Sequence, residues 1–216
     1  MKNKKRFLIA TLMSLGIGLV IAVSSCNKPS ATAPILPGNE FLTTTMIVIT
    51  DPSHIQPTDT IIWSELPTQT VPDTARAFVT LQRNYTYNYQ IIILDSTQVV
   101  NGVLPAGDSN FVVSTDIIAR QDYHLFCFYD ANNTNDIYGT TGSTRGGTGW
   151  ANVTFTNPNY DHNNPPLPFG MTGNLNTFGA TNGQIEVILR HQPDVKNGQC
   201  APGSTDLDVY YNIKVQ

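Results

Sequence analysis

Charge, long apolar runs and catalytic signatures are all scarce in this chain, and each scarcity excludes something. Only 12 of 216 residues are Lys or Arg, against 16 Asp or Glu, and 13% are charged in all. Binding a phosphate backbone needs clustered cations, so nucleic acid is not an expected partner. Beyond residue 23 no segment is apolar for long enough to span a bilayer. The alternation of strands and helices that a two-lobed α/β binding protein requires is missing, as is the G-x-S-x-G motif of a nucleophile elbow. The Gly-rich stretch "GTTGSTRGGTGW" (139–150) has neither the P-loop lysine nor a strand-to-helix context, so it reads as a loop.

What is present begins with a leader. Lys2, Lys4, Lys5 and Arg6 precede the uncharged run "FLIATLMSLGIGLVIAV", and small residues lead to Cys26. That order is the order of a secretory signal. Val23-Ser24-Ser25-Cys26 resembles a bacterial lipobox, which implies removal of residues 1–25 and lipidation of Cys26. An uncleaved anchor is the alternative, but Phe7 to Val23 is 17 residues. At 1.5 Å per residue that is roughly 25 Å of helix, short of a hydrocarbon core of about 30 Å. Residues 1–25 carry four of the twelve cations and no acid, leaving eight against sixteen, a formal charge of −8 on the mature chain. Residues 26–39 hold the lipidated cysteine and a Pro-rich tether, and 40–216 form one domain.

From residue 40 the pattern is apolar–polar alternation broken by turn residues. Strands are predicted in "FLTTTMIVIT" (41–50), "DTIIWSE" (59–65), "ARAFVTLQ" (75–82), "NYTYNYQIIILD" (84–95), "YHLFCFYD" (123–130), "WANVTFT" (150–156), "PFGMTGNL" (168–175), "GQIEVILRH" (183–191) and "TDLDVYYNIKV" (205–215). In the last two, Ile185, Val187, Leu189, Leu207, Val209, Tyr211, Ile213 and Val215 face inward. Glu186, Arg190, Asp206, Asp208, Asn212 and Lys214 face solvent. One short helix is predicted at "STDIIARQ" (114–121), capped by Ser114 or Thr115. About nine short strands and almost no helix predict an all-β antiparallel sandwich, immunoglobulin-like, with a closed barrel as the alternative.

Arg190, His191 and Asp194 crowd together in "LRHQPDVKNG" and invite a catalytic reading. Pro193 cannot donate to a ladder, and Asn197-Gly198 and Pro202-Gly203 form turns, so the cluster reads as a strand end and its loop. "LRHQPDVKNG" followed by "PGSTDLDVYYNIKV", with "GNEFLTT" (38–44), resembles a signature of lipoproteins from the Bacteroidota. The resemblance implies an exported, lipid-anchored location and this fold; it carries over no catalytic residue. Asp59-Thr60-Ile61, Asp73-Thr74-Ala75 and Asp95-Ser96-Thr97 resemble the O-glycosylation sequon of exported proteins in that group, which implies modification at Thr60, Thr74 or Ser96.

Four further candidate sites stand beside bland alternatives. Asp130, Asn132, Thr134 and Asp136 alternate as oxygen ligands do in a calcium loop, but Asn135 and Thr141 replace the turn glycine and bidentate glutamate, so a polar hairpin tip is preferred. Tyr85, Tyr87 and Tyr89 share one strand face and could stack a ligand; core-edge packing with hydroxyls reaching water is preferred. Cys127 and Cys200 are a candidate disulfide, with a buried free Cys127 the preferred reading. His54, His124, His162 and His191 have no metal-pair spacing, and Asp161-His162 lies in a polar loop.

The expected function is a non-catalytic binding or scaffolding module on a lipid anchor, with no cofactor. A glycan- or small-ligand-binding lipoprotein is the alternative and a hydrolase the last reading. Exposed aromatics around a groove would favour the binder, and a buried carboxylate beside His162 or His191 the enzyme. "CNKPS" has no acidic run after Cys26, which favours the periplasmic face of the outer membrane over the cell surface.

Overall fold

The computed structural model describes residues 42–55, 58–66, 69–96, 112–130, 135–136 and 152–216; of Asp130 and of 135–136 it describes the backbone alone. The sandwich lies within the unit Leu36–Gln216. In chain order its elements are β1 (Thr44–Thr50), β2 (Asp59–Ser64), β3 (Phe78–Leu81), β4 (Tyr85–Leu94), α1 (Ser114–Ala119), a single 3-10 turn (Gln121–Tyr123), β5 (His124–Asp130), β6 (Asn135–Asp136), β7 (Val153–Thr156), β8 (Thr172–Thr177), β9 (Thr181–His191) and β10 (Ser204–Val215). No helix among the described residues is long and apolar enough to cross a membrane.

Two five-stranded sheets face each other, in the orders β2-β1-β4-β8-β7 and β3-β10-β9-β5-β6. Within them β1-β4-β8-β7 and β5-β9-β10 reproduce the A-B-E-D and C-F-G orders of an immunoglobulin sandwich. The hairpin strand β2 extends the first sheet, and β3 joins the second by pairing parallel to β10. Two open sheets replace the barrel alternative, because each keeps its own edge strands.

Alternation explains which side chains meet between the sheets. On β4, Tyr87, Tyr89, Ile91 and Ile93 are buried, and on β10 Leu207, Val209, Tyr211, Ile213 and Val215 answer them. Phe128 of the second sheet stacks on Phe155 of the first at 4.0 Å between centroids, and Tyr89 meets both edge-on. Such pairs add about 0.5–1.5 kcal/mol each beyond the area they bury. The Tyr211 hydroxyl, deep in the core, donates to the Thr45 carbonyl across the sandwich at 2.8 Å.

Strand β5 is apolar on both faces. Phe126 and Phe128 enter the main core, whereas Leu125, Cys127 and Tyr129 point the other way and pack with Ile188 and Cys200. Cys127 is therefore no buried free thiol: the β9–β10 connection folds over this outer face and Cys200 closes a disulfide with it. Helix α1 also departs from expectation at its cap. Val113 is the N-cap residue, without a side-chain cap hydrogen bond, and the buried Ser114 hydroxyl instead accepts from the Ile93 N–H of β4 at 2.7 Å. The hydroxyl fastens the helix to the sheet rather than capping it.

Candidate functional site

The site begins where β5 starts and β9 ends. His124 and His191 are register partners on these antiparallel strands, both at inward positions, and their rings stack with centroids 5.0 Å apart. Asp206 reaches them through an irregularity in β10. Thr205 pairs with Arg190 and Leu207 with Leu189, so Asp206 is an extra residue without a partner on β9. A bulge of this kind re-aims a side chain. Strict alternation placed Asp206 in solvent; the bulge turns it to the histidines, and its side chain keeps only 15% of its exposure.

Distances define the chemistry. Asp206 Oδ2 stands 3.4 Å from His124 Nε2 and 3.9 Å from His191 Nδ1, beyond the usual hydrogen-bonding range. His124 Nδ1 lies 2.9 Å from the Arg120 carbonyl, which can only accept, so Nδ1 carries the proton. The other ring nitrogen, Nε2, is then the buried end with no hydrogen-bond partner. Burial holds the His191 pKa below its ordinary value; the Asp206 carboxylate opposes this, while His124 and Arg120 reinforce it. One ligand atom each from His124, His191 and Asp206 lies within 4.8 Å of the others.

The neighbouring loop is built to hold β9 and β10 in place. Arg190 Nη2 donates to the Gly203 carbonyl at 2.6 Å and to Ala201 at 3.2 Å, and Nη1 donates to the Thr205 hydroxyl. Gln192 Nε2 donates to the carbonyls of Gln199 and Pro202. Gly203 has φ of 84°, and a Cβ there would collide with the His191 carbonyl oxygen, so the turn requires glycine. Asp194 is exposed at φ 60°. Arg190, His191 and Asp194 thus do not converge: Arg190 clips the loop, Asp194 turns it, and His191 joins a different set.

Within this loop, Lys196 Nζ lies 2.6 Å from Asp161 Oδ2, with both side chains almost wholly buried. Asp161 also accepts from the N–H groups of Asn163 and Leu167 and from Asn163 Nδ2. His162 is exposed and sits by Gln121 Nε2. The carboxylate next to it in sequence is spent on Lys196.

A second surface lies on the outer face of the second sheet. Phe78, 53% exposed, is the register partner of Asn212, and Asn212 of Gln184, so an aromatic ring and two amides lie side by side across β3, β10 and β9. They line a groove of about 500 Å³ with Asn182, Gly183 and Ile213. Tyr210, also exposed, donates to Glu186 at 3.0 Å on the same face.

Tyr87 and Tyr89 pack in the core, in line with the preferred reading of the tyrosine stripe, and the stacking alternative is corrected. Tyr87 and Tyr89 are 3% and 2% exposed, so they do not form a stacking platform. Nor do the hydroxyls reach for water: Tyr85 donates to Asp51 at 2.8 Å, Tyr89 to the Gly170 carbonyl at 3.1 Å, and Tyr87 accepts from the Gln82 N–H at 3.0 Å. Thr60 and Thr74 are exposed, while Ser96 is half-buried, with Oγ 2.6 Å from the Thr44 hydroxyl. Asn132 and Thr134 and the side chains of Asp130 and Asp136 lie outside the described residues, as do Cys26 and the leader.

Sequence reasoning missed the His124–His191–Asp206 set because its members lie 67 and 15 residues apart. The available signal was pairing: a histidine opening one strand and another closing its antiparallel neighbour are in register. No protein-family profile, curated protein or solved structure matches this chain.

Proposed function

We propose that this is an exported, lipid-anchored envelope protein whose sandwich serves as a non-catalytic binding or scaffolding module. The leader and Cys26 motivate the anchor, and the Cys127–Cys200 disulfide suits a compartment where disulfides persist. The observation that carries the binding role is the Phe78 groove. An exposed ring flanked by Asn212 and Gln184 offers an apolar platform with amide donors and acceptors at its edge. Of the polar groups that a catalytic reading would recruit, Arg190 and Asp161 hold loops together instead, while Asp206 stands 3.9 Å from His191.

The same groove favours glycan or small-ligand binding as the second reading, since sugars present apolar faces ringed by hydroxyls. Two experiments separate the readings. Mild crosslinking and pull-down of the C-terminally tagged chain from native envelopes, with a Cys26→Ser control, recovers a reproducible protein partner if the module is a scaffold. A glycan array probed with the chain and with Phe78→Ala gives signals lost in the variant if the groove binds sugars. Failure of both would remove the binding role. For location, the periplasmic face of the outer membrane is proposed; loss of the domain on protease shaving of intact cells would refute it.

A further inference from the structure

We propose that His124, His191 and Asp206 form a binding site for one divalent transition-metal ion of the zinc class. The inference starts from an electrostatic mismatch. With Nδ1 donating to the Arg120 carbonyl, His124 turns its other ring nitrogen, Nε2, which has no hydrogen-bond partner, towards Asp206 Oδ2 at 3.4 Å. When Nε2 carries no proton the two acceptors repel, and the wholly buried His124 has no water to turn to, while Asp206 keeps 15% of its exposure. A cation between them converts the repulsion into attraction.

The spacing suits a metal ion. Zinc–nitrogen bonds of about 2.0–2.1 Å and zinc–oxygen bonds of about 2.0–2.2 Å, set at tetrahedral angles, hold ligand atoms roughly 3.3 Å apart. The His124 to Asp206 separation of 3.4 Å meets this as it stands; His191, 3.9 Å from Asp206 and stacked 15° from parallel on His124, has to rotate out of that stack for its lone pair to converge on the same ion. His191 has room for it, being the last residue of β9 and 27% exposed. The donor set is two imidazole nitrogens and one carboxylate, which suits zinc, copper or nickel; calcium and magnesium prefer oxygen alone. The Arg120 carbonyl fixes the His124 tautomer, as an outer-shell acceptor does in metal–histidine sites. The partly exposed side, at His191 and Asp206, leaves a fourth position for water or an exogenous ligand.

One group opposes the ion. The Arg120 guanidinium acts on His191 electrostatically, and its buried Nη1 has no hydrogen-bond partner. It weakens cation binding, so the site is tuned below the affinity its three ligands would otherwise reach. This inference does not rest on the Phe78 groove and survives the loss of that reading.

The test is calorimetric titration of the purified full chain in detergent with Zn²⁺, and with Co²⁺ as an optical probe. Saturable binding of one ion per chain is expected, with a tetrahedral cobalt spectrum and a rise in melting temperature. Asp206→Asn and His191→Ala change partly exposed positions and should fold, as circular dichroism would verify. Each should weaken Zn²⁺ binding by more than about 10-fold, a loss that outer-shell changes alone can cause. Arg120→Gln should tighten it, and excess Ca²⁺ or Mg²⁺ should not compete. No saturable binding, or binding in both ligand variants equal to that of the parent, would overturn the site.

Discussion

Lys196 Nζ stands 2.6 Å from Asp161 Oδ2 in a pair whose side chains are 3% and 0% exposed, and the lysine also donates to the Gln121 carbonyl at 2.8 Å. One charge pair thereby ties the β9–β10 connection to the loop before Phe169 and to the 3-10 turn that opens β5.

Removing one partner of a buried pair strands the other charge, at a cost of about 3–5 kcal/mol. Lys196→Met is therefore expected to lower denaturant stability by that order. Asp161→Asn combined with Lys196→Met should recover part of the loss, since no charge then remains buried. Chemical denaturation of the three proteins checks this; a single variant as stable as the parent would mean that the pair contributes nothing.

The same pair sets an acid limit. Burial works to raise the Asp161 pKa, but the Lys196 ammonium and the donors on Leu167 and Asn163 outweigh it and hold it below 3.8. A carboxyl depressed on folding contributes stability that is fully present above its unfolded value and fades as pH falls through the folded one. Unfolding followed from pH 6 down to about 2 should show a stability loss below about pH 3.8 that is shallower in Asp161→Asn. Identical acid limbs would discount Asp161.

The Cys127–Cys200 disulfide spans 73 residues. Closing a loop of that size constrains the unfolded chain by roughly 2–4 kcal/mol. The Cys127→Ala, Cys200→Ala double variant should melt at a lower temperature than the oxidised parent, and a reducing agent should shift the parent towards it. If reduction leaves the parent's melting unchanged, the bridge adds no stability.

Tyr211 joins the two sheets by its hydroxyl, and burial drives its phenol pKa far above 10. Tyr211→Phe keeps the ring and leaves the Thr45 carbonyl without that donor. A loss of about 1 kcal/mol is expected, read by equilibrium unfolding. A larger loss would mean that the ring itself has shifted.

Alternation is a local property, and much of the fold was legible from it. The inward residues of β9 and β10, the strand end at His191 and the turns at Gly198 and Gly203 all follow from side-chain period and backbone preference, which a short stretch of chain dictates. The expectation of a leader and of lipidation at Cys26 likewise rests on local order alone. What the tertiary structure alone decided depends on register and on what covers a face. A single bulge after Thr205 sent Asp206 to the histidines instead of to solvent. A loop folded over β5 turned Cys127 from a core thiol into half of a disulfide, and burial between the sheets made Tyr87 and Tyr89 core rather than platform. Each contact joins residues distant along the chain, and their meeting is set by the packing free energy of the whole sandwich, which no short segment encodes.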